Sequence, residues 1–299
     1  MIWIVSKDEN GLTLCEWLPK RLPDAPAGYL GQLIRSGRIR LGGHPLGRQS
    51  ILAHGDRLEL PDSQRLLDLS IAQQPCQILA QSEQWIVAVK PAGLPVHRSA
   101  QHRDNLTDRL QHQLNREAVP YRLAPVQRLD IGTSGPVLFG KGRKATGALG
   151  KLVMERGLDK LYLALVEGHP AACGALDAPL DIDGKLRAAF SSFRTLRRWE
   201  NCSLLLVSIS TGRKHQIRRH LAATGHPLAG DRRYRSSLAA PAGRMFLHQC
   251  LLRFVDPWQG DLIKITLPLP MELRSWLAGL GPERPAPTTR HDDARIREQ

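Results

Sequence analysis

Short apolar segments separated by tight turns fill residues 83–270, and this alternation restricts the fold more than any other feature of the sequence. WIVAVK (85–90) and CSLLLVSIS (202–210) have the length and residue types of buried strands, and such segments outnumber helix-like ones. Glu200 and Asn201 supply a turn between two strands, which is typical of a hairpin. The pattern predicts an α+β fold in which a mixed, mainly antiparallel sheet is flanked by helices.

The N-terminal residues predict a separate, small α/β domain. Apolar residues have helical spacing in LCEWLPKRL (14–22) and YLGQLIRSG (29–37), and RIRLGGHPLG (38–47) is typical of two short strands around a glycine turn. We therefore expect this domain at 1–62, a linker carrying one strand at 63–82, the sheet domain at 83–280 and a disordered, proline-rich and charged tail at 281–299.

The sequence is strongly basic, since 42 Lys and Arg against 28 Asp and Glu give a formal net charge of +14. Such a surface attracts polyanions, and nucleic acid is the usual one. Arg35, Arg38 and Arg40 surround the glycine turn, where they could straddle a phosphate backbone. A solvated charged face, or a basic enzyme without a nucleic-acid substrate, is the alternative.

The five cysteines, at positions 15, 76, 173, 202 and 250, form no C-x-x-C pair and no zinc-type spacing with histidine. They predict reduced thiols in a cytoplasmic protein. No stretch of about 18 residues lacks charges and helix breakers, so no membrane role is predicted. We expect the protein to act as a monomer.

The sequence also lacks the motifs of nucleotide-driven and zinc-dependent chemistry: GxxxxGK[ST], GxGxxG after a strand, and HExxH. His215 and His220 are five residues apart, so they lie on different faces of a helix and do not suggest a metal pair. We predict neither a cofactor nor a metal.

One carboxylate, Asp130, stands among basic residues in QRLDIGTSG. In a strand, Arg128 would lie on the same side as Asp130, and a predicted helix from Arg213 carries further basic residues, including Arg218. A neighbouring guanidinium would keep Asp130 ionised, as a nucleophile or base requires. On these residues alone, an ordinary structural salt bridge is the stronger interpretation.

Several segments together resemble the RluA family of pseudouridine synthases. QRLDIGTSGPVLFGK (127–141) resembles the family's HRLD and TSG signature, with Gln127 where the family usually has His. The other similar segments follow in the family's order: KPAGLPVH (90–97), DKLYLALVEG (159–168), TGRKHQIRRHLAATGHPLAGDRRY (211–234) and FLHQCLLRFVDPWQGD (246–261). The resemblance covers residues 83–270 and implies the pseudouridine synthase fold for this part of the chain.

The N-terminal residues resemble the S4 RNA-binding module. The matching positions are Leu33, Ile34, Gly37, Gly43, Gly55 and Asp56. The serine-arginine-serine that often opens the second helix of that module is absent, because Ala27, Gly28 and Tyr29 stand there.

The resemblance implies isomerisation of uridine to pseudouridine in RNA, without a cofactor. Asp130 would be the catalytic carboxylate, which attacks C1′ or removes the C2′ proton. Tyr162 would stack on the uracil and assist proton removal from C5, and Arg218 would pair with Asp130. The implied RNA-binding residues are Arg128, which would hold the flipped nucleotide, Arg213, His215 and Gln216 at the site, and Arg38 and Arg40 in the N-terminal domain.

The S4-like module favours 23S ribosomal RNA as the substrate, and transfer RNA is the alternative. Two other functions remain possible from the sequence. A noncatalytic RNA-binding or ribosome-assembly factor could retain the fold, and a uracil glycosylase-like hydrolase would share base flipping but release free base.

Overall fold

A computed structural model of the chain describes residues 1–22, 25–63, 65–66, 69, 75–98, 102, 104–115 and 119–285. Contacts divide it into two compact units. The N-terminal unit comprises residues 1–75 with 108–118, and the larger unit comprises residues 76–107 with 119–299. The architecture is α+β with antiparallel strand pairing in every sheet, as the sequence predicted.

The N-terminal unit combines two helices with a four-stranded sheet in the order β1-β4-β2-β3. Its elements are β1 (Ile2–Ile4), α1 (Leu14–Arg21), α2 (Ala27–Arg35), β2 (Arg40–Leu41), β3 (His44–Pro45) and β4 (Arg57–Glu59). Leu14, Trp17 and Leu18 are buried on one face of α1 because they are three and four residues apart. Ile39 is also buried, which leaves Arg38 and Arg40 exposed.

The larger unit contains a four-stranded sheet, a six-stranded sheet and a small hairpin. The four-stranded sheet has the order β5-β6-β8-β7, with β5 (Ile78–Gln81), β6 (Trp85–Lys90), β7 (Leu123–Pro125) and β8 (Gly135–Lys141). Helix α3 (Leu106–Asn115), most of which belongs to the N-terminal unit, precedes β7 in the chain, and α4 (Gly142–Met154) follows β8.

The six-stranded sheet has the order β10-β13-β14-β9-β15-β16. Its strands are β9 (Leu158–Glu167), β10 (Cys173–Leu176), β13 (Ser191–Arg198), β14 (Cys202–Ile209), β15 (Leu247–Val255) and β16 (Leu262–Thr266). The hairpin consists of β11 (Leu180–Ile182) and β12 (Lys185–Arg187), and the remaining helices are α5 (Gln216–Ala223) and α6 (Met271–Ala278).

One apolar core joins the two large sheets and α4. It contains Trp85 and Leu138 from the first sheet, Leu158 and Phe254 from the second, and Leu149 from the helix. Burying such side chains removes apolar surface from water, at roughly 1.5–3 kcal/mol for each side chain. The core therefore fixes the loop between β7 and β8 relative to the middle of the six-stranded sheet.

Two local expectations from the sequence are wrong. The helix predicted from Arg213 begins at Gln216, because His215 adopts a left-handed backbone conformation with φ of 54°. Residues 128–130 form a loop rather than a strand, so strand alternation does not explain how Arg128 lies relative to Asp130.

The expected linker and tail lie partly outside the described residues. Strand β5 falls within residues 63–82, and the rest of that segment is described only in part. At the C-terminus, the Arg284 N–H donates to the Arg198 carbonyl at 2.8 Å. Residues 286–299 are not described. No helix among the described residues is long and apolar enough to span a bilayer.

Candidate active site

The loop at residues 127–134 carries Asp130 between β7 and β8. The Asp130 carbonyl accepts the Thr133 N–H at 2.9 Å, which closes a turn directly after the carboxylate residue. The Asp130 side chain is 26% exposed, and Arg128 is exposed. The loop therefore presents Asp130 at the surface of a pocket, where a substrate can reach it.

Lys90, the last residue of β6, fixes this loop by hydrogen bonds to its backbone. Its buried ammonium donates to the carbonyl oxygens of Pro91 at 2.8 Å, Ile131 at 3.0 Å and Thr133 at 2.6 Å. Burial and the positive charge of Arg244 lower the pKa of Lys90 to about 7, against the opposing charge of Asp130. All three ammonium N–H groups are thus used to hold the segment that follows Asp130.

A second anchor ties Ser134 to β15. Arg244 Nη2 donates to Ser134 Oγ at 3.0 Å and to the Leu247 carbonyl at 2.8 Å. Since Arg244 can only donate, the Ser134 hydroxyl proton is free for His248 Nδ1, 2.8 Å away, and His248 Nε2 then donates to the Leu267 carbonyl at 3.1 Å. Burial lowers the pKa of His248, which favours the neutral ring that this arrangement needs.

Gly135 permits the close approach of the loop to β15. Its φ of 150° is one that L side chains rarely adopt, and an added Cβ would lie 2.5 Å from Gln249 Cβ. The glycine of the TSG motif is therefore required by packing next to the carboxylate loop.

Arg218 joins Asp130 to a second carboxylate, Asp231. It pairs bidentately with Asp231, through Nε at 2.7 Å and Nη2 at 2.9 Å, while Nη1 lies 3.4 Å from Asp130 Oδ2. Burial lowers the pKa of Arg218, but the hydrogen bonds and charges of both carboxylates outweigh it and raise the pKa overall. Asp231, 2% exposed, thus aims a charged guanidinium at Asp130.

His215 lies on the other side of Asp130. Its Nε2 is 4.0 Å from Asp130 Oδ1, and its Nδ1 is 3.0 Å from the Tyr234 hydroxyl. Burial, together with the positive charges of Arg218, Arg233 and Lys214, lowers the pKa of His215, although Asp130 acts in the opposite direction. His215 is therefore neutral at physiological pH.

The side chain of Gln216 is fully engaged within the protein. Its Oε1 accepts from Thr211 Oγ1 at 2.7 Å and the Arg213 N–H at 3.1 Å, and its Nε2 donates to the Phe190 carbonyl and Ser191 Oγ. These bonds shape the segment before α5. The Arg213 side chain is exposed and donates through Nε to the Ala188 carbonyl at 3.0 Å.

Tyr162, on the central strand β9, forms the inner wall of the pocket. It is 4% exposed, and burial and the negative charge of Asp130 raise the pKa of its phenol. The pocket volume is about 60 Å³, and Arg128 and Arg213 are the exposed arginines among its lining residues.

Seven of the nine residues predicted from the sequence line this one pocket: Arg128, Asp130, Tyr162, Arg213, His215, Gln216 and Arg218. Arg38 and Arg40 belong to the N-terminal unit, where both are exposed. The residues that sequence reasoning missed are Lys90, Asp231 and the Ser134, Arg244 and His248 cluster. All of them except Arg244 fall inside segments that carried the family resemblance, which was the available signal.

Other candidate residues have structural surroundings. Gln127 is 8% exposed and donates to the Pro136 carbonyl at 3.1 Å, so it faces the protein interior. His220 is buried between Ser191 Oγ at 3.0 Å and the Ala178 carbonyl at 2.9 Å. The five cysteines are free thiols, two of them buried. Within the described part of the chain, no group of three or more His, Cys, Asp or Glu could hold a metal ion.

Replacing Lys90 with Met is expected to destabilise the protein by about 2–4 kcal/mol, because three buried carbonyls lose their donor. The turnover number should fall as well, since the carboxylate loop loses its support. Lys160→Met is the matched control: Lys160 is also a buried lysine, but it lies on β9 outside the pocket. Urea denaturation and turnover assays give both quantities, and equal losses in the two variants would rule out the anchoring role.

The stability difference between wild type and Lys90→Met should depend on pH. The pKa of Lys90 is lowered on folding from 10.5 to about 7, so the unfolded chain binds more protons between these values and wild-type stability rises with pH there. The variant lacks this gain. We expect the difference to be larger at about pH 9 than at about pH 6 in urea denaturation, and the reverse order would contradict the buried position of the amine.

The chain is similar to known RNA-modifying enzymes. Residues 84–223 match the family model described as RNA pseudouridylate synthase. The ribosomal large subunit pseudouridine synthase C of Yersinia pestis is 30% identical, with 92% of this chain and 94% of that protein covered. The enzyme of the same name from Haemophilus ducreyi is 30% identical over 94% and 95% of the two chains. An uncharacterized RNA pseudouridine synthase of Mycobacterium bovis is 32% identical over 81% and 86%.

Two solved human structures share the fold. Human RNA pseudouridylate synthase domain containing 4 has a TM-score of 0.58 at 22% identity, covering 71% of this chain and 95% of that one. Human RNA pseudouridylate synthase domain containing 1 has a TM-score of 0.52 at 24% identity, covering 66% and 84%. With the sequence relatives, these findings establish that the chain belongs to the RNA pseudouridylate synthase family and is an isomerase that converts uridine in RNA to pseudouridine.

Proposed function

We propose that this enzyme modifies uridines of the large-subunit (23S) ribosomal RNA, as a monomer in the cytoplasm, with Asp130 as its catalytic carboxylate. The observation that carries the catalytic part is the pairing of Asp130 with Arg218 in a pocket walled by Tyr162. The ribosomal part is supported by two full-length relatives named ribosomal large subunit pseudouridine synthase C.

In the proposed reaction, the bond between uracil N1 and C1′ breaks, the base turns, and a bond forms between C5 and C1′. Asp130 either attacks C1′ or removes the C2′ proton, and both routes need an ionised carboxylate. Arg218, held by its ion pair with Asp231, places its guanidinium charge beside Asp130, where it offsets the charge of the carboxylate next to a polyanionic substrate. The C5 proton leaves and N1 gains one, so the RNA keeps all its atoms.

Tyr162 is proposed to stack on the uracil. Its raised pKa keeps the phenol protonated while Asp130 is charged, so it does not act as a free base before the substrate reacts. If Asp130 bonds to C1′, its negative charge disappears, and with it one of the three causes that raise the pKa of Tyr162, the others being burial and Cys250. Assistance in removing the C5 proton is thereby confined to the late part of the reaction.

The other pocket residues are proposed to bind the RNA or to shape the site. Arg128 and Arg213 are exposed at the pocket and can contact phosphate or hold the uridine out of the stack. His215 is neutral and can exchange hydrogen bonds with the nucleotide. Gln216 has all its polar atoms engaged, so we propose that it positions the loop that carries Arg213 and His215.

The N-terminal unit is proposed to bind RNA through Arg38 and Arg40. Replacing both with Ala should weaken binding. The slope of log affinity against log salt concentration should also become smaller, by the equivalent of about one phosphate contact or more. Arg57→Ala is the control, since Arg57 is an exposed arginine of the same sheet. Filter binding across a range of salt concentrations measures both effects; an unchanged salt slope in the double variant would mean that this surface does not touch phosphate.

Carbodiimide-blocked primer extension identifies the substrate RNA. Large-subunit ribosomal RNA and transfer RNA are compared between cells with and without the gene. We expect a pseudouridine stop to disappear from the ribosomal RNA when the gene is absent. Loss of a stop from transfer RNA alone would contradict the ribosomal assignment and favour the transfer RNA alternative.

A further inference from the structure

Residues 231–235, here called the basic turn, lie beside the pocket, and their three arginines have not been assigned an RNA contact so far. Arg232, Arg233 and Arg235 are all exposed. Asp231 folds the turn, because its Oδ1 accepts the N–H groups of Arg233 at 3.2 Å and Tyr234 at 3.4 Å. The same carboxylate binds the Arg218 guanidinium. One buried residue therefore fixes both the position of that guanidinium and the conformation of the basic turn.

The basic turn contacts the active site directly. The Tyr234 hydroxyl lies 3.0 Å from His215 Nδ1, and the Arg218 guanidinium carbon lies 5.0 Å from the centre of the Tyr234 ring. The charge of Arg233 acts on His215, whose other nitrogen faces Asp130. Tyr234 and Asp231 therefore connect the basic turn to two residues that line the pocket, His215 and Arg218.

The backbone of Arg235 has a conformation that favours glycine. Its φ is 61° and its ψ is 38°, in the left-handed region that residues with a Cβ seldom occupy. The described residues include only three other non-glycine residues with positive φ, and one of them, His215, is part of the pocket. Backbone strain retained beside a functional site suggests that the side chain is needed there.

The arginines of the basic turn have different surroundings from the arginines that form ion pairs. Elsewhere, Arg21 pairs with Glu9 and Arg253 with Asp159. For Arg232, Arg233 and Arg235, no acidic partner occurs among the residues that the structure describes. Three unpaired guanidinium groups on one turn form a site for an extended anion, and a phosphodiester backbone supplies one charge for each nucleotide.

We propose that the basic turn binds the phosphodiester backbone of the substrate RNA next to the flipped uridine. This inference deepens the proposed function, because it assigns an RNA-backbone subsite at the same pocket. Through Asp231, the segment that binds phosphate and the guanidinium that pairs with Asp130 share one support. Binding of the backbone thus places the uridine against Asp130, whose partner Arg218 is held by the same residue.

The test measures RNA affinity in two variants, Arg233→Gln and Arg235→Gly, each made in an Asp130→Asn background so that binding is separated from turnover. The probe is a transcript of 23S ribosomal RNA, with filter binding at several salt concentrations. Each variant should bind about three- to tenfold more weakly, with a salt slope smaller by about 0.7–1. The control is Arg156→Gly, because Arg156 is also exposed with a φ of 58° but follows α4, in a different segment from the basic turn.

The glycine variant separates RNA contact from folding. Arg235→Gly removes the strained conformation, so its melting temperature should equal or exceed that of the parent while its affinity falls. Affinity and salt slope that match the Arg156→Gly control would overturn the proposal. If the wild-type enzyme leaves large-subunit RNA unmodified but the variants still lose RNA affinity, the ribosomal assignment fails and the basic turn remains an RNA-binding site.

Discussion

Asp130→Asn is expected to reduce pseudouridine formation by at least about 10³-fold, while RNA affinity stays within about threefold of wild type. Asparagine keeps the size of the side chain but can neither attack C1′ nor accept the C2′ proton. Arg218 remains bound to Asp231, so the pocket retains its shape. Turnover of a uridine-containing transcript gives the activity, and filter binding gives the affinity.

Asp159→Asn is the control for loss of a negative charge from the larger unit, because Asp159 forms an exposed ion pair with Arg253. It should cost less than about 1 kcal/mol in stability and leave turnover near wild type. A normal rate in Asp130→Asn would exclude the carboxylate from the chemistry. Equal loss of RNA affinity and activity would instead assign Asp130 a binding role.

Asp231→Asn is expected to reduce both stability and activity. Removing one member of a buried ion pair leaves the Arg218 charge without its main partner, at a cost of about 3–5 kcal/mol. The guanidinium is then free to turn away from Asp130, so the turnover number should fall while the KM for RNA changes less. Urea denaturation and steady-state kinetics measure these losses.

The double variant Asp231→Asn with Arg218→Met separates the structural part from the catalytic part. Removing the buried charge relieves the cost of the single variant, so the double variant should be more stable than Asp231→Asn alone. It should nevertheless be at least as inactive, because no guanidinium faces Asp130. A double variant that recovers activity along with stability would show that Arg218 serves only the fold.

The strands and the central residues of the site could be predicted from the sequence because their signals are local. Buried strands appear as short apolar segments, and turn residues mark the hairpins between them. The family resemblance supplied the expected roles of Asp130, Tyr162 and Arg218. In the structure these three residues line one pocket. From the residues alone, the link between Asp130 and Arg218 remained an ordinary salt bridge, because 88 residues separate them.

The supports of the site could not be predicted, because they depend on distant partners. Lys90 has the sequence appearance of a charged strand end, yet its three acceptors include the carbonyls of Ile131 and Thr133, more than 40 residues away. Ser134 meets Arg244 and His248 only because the start of β8 approaches β15, with a bridge between Ser134 and His248. No spacing rule reports contacts of this kind.

The first residue of α5 also could not be predicted from the sequence. Helical spacing extends from Arg213 through Leu221, so sequence reasoning starts the helix too early. The structure delays it to Gln216, whose side chain accepts the Arg213 N–H, and His215 takes a left-handed conformation beside Asp130. Arg213 and His215, which lie outside the helix although the spacing includes them, both line the pocket. Function overrides local preference at these positions.

The most direct test of the reaction at Asp130 uses RNA labelled with tritium at C5 of uridine. Formation of the new bond at C5 expels that hydrogen, whereas hydrolysis of the base would release labelled uracil. The wild-type enzyme should release tritium to water and leave no free uracil, and Asp130→Asn should release neither. Free uracil from the wild-type reaction, or tritium release by Asp130→Asn at the wild-type rate, would contradict isomerisation through Asp130.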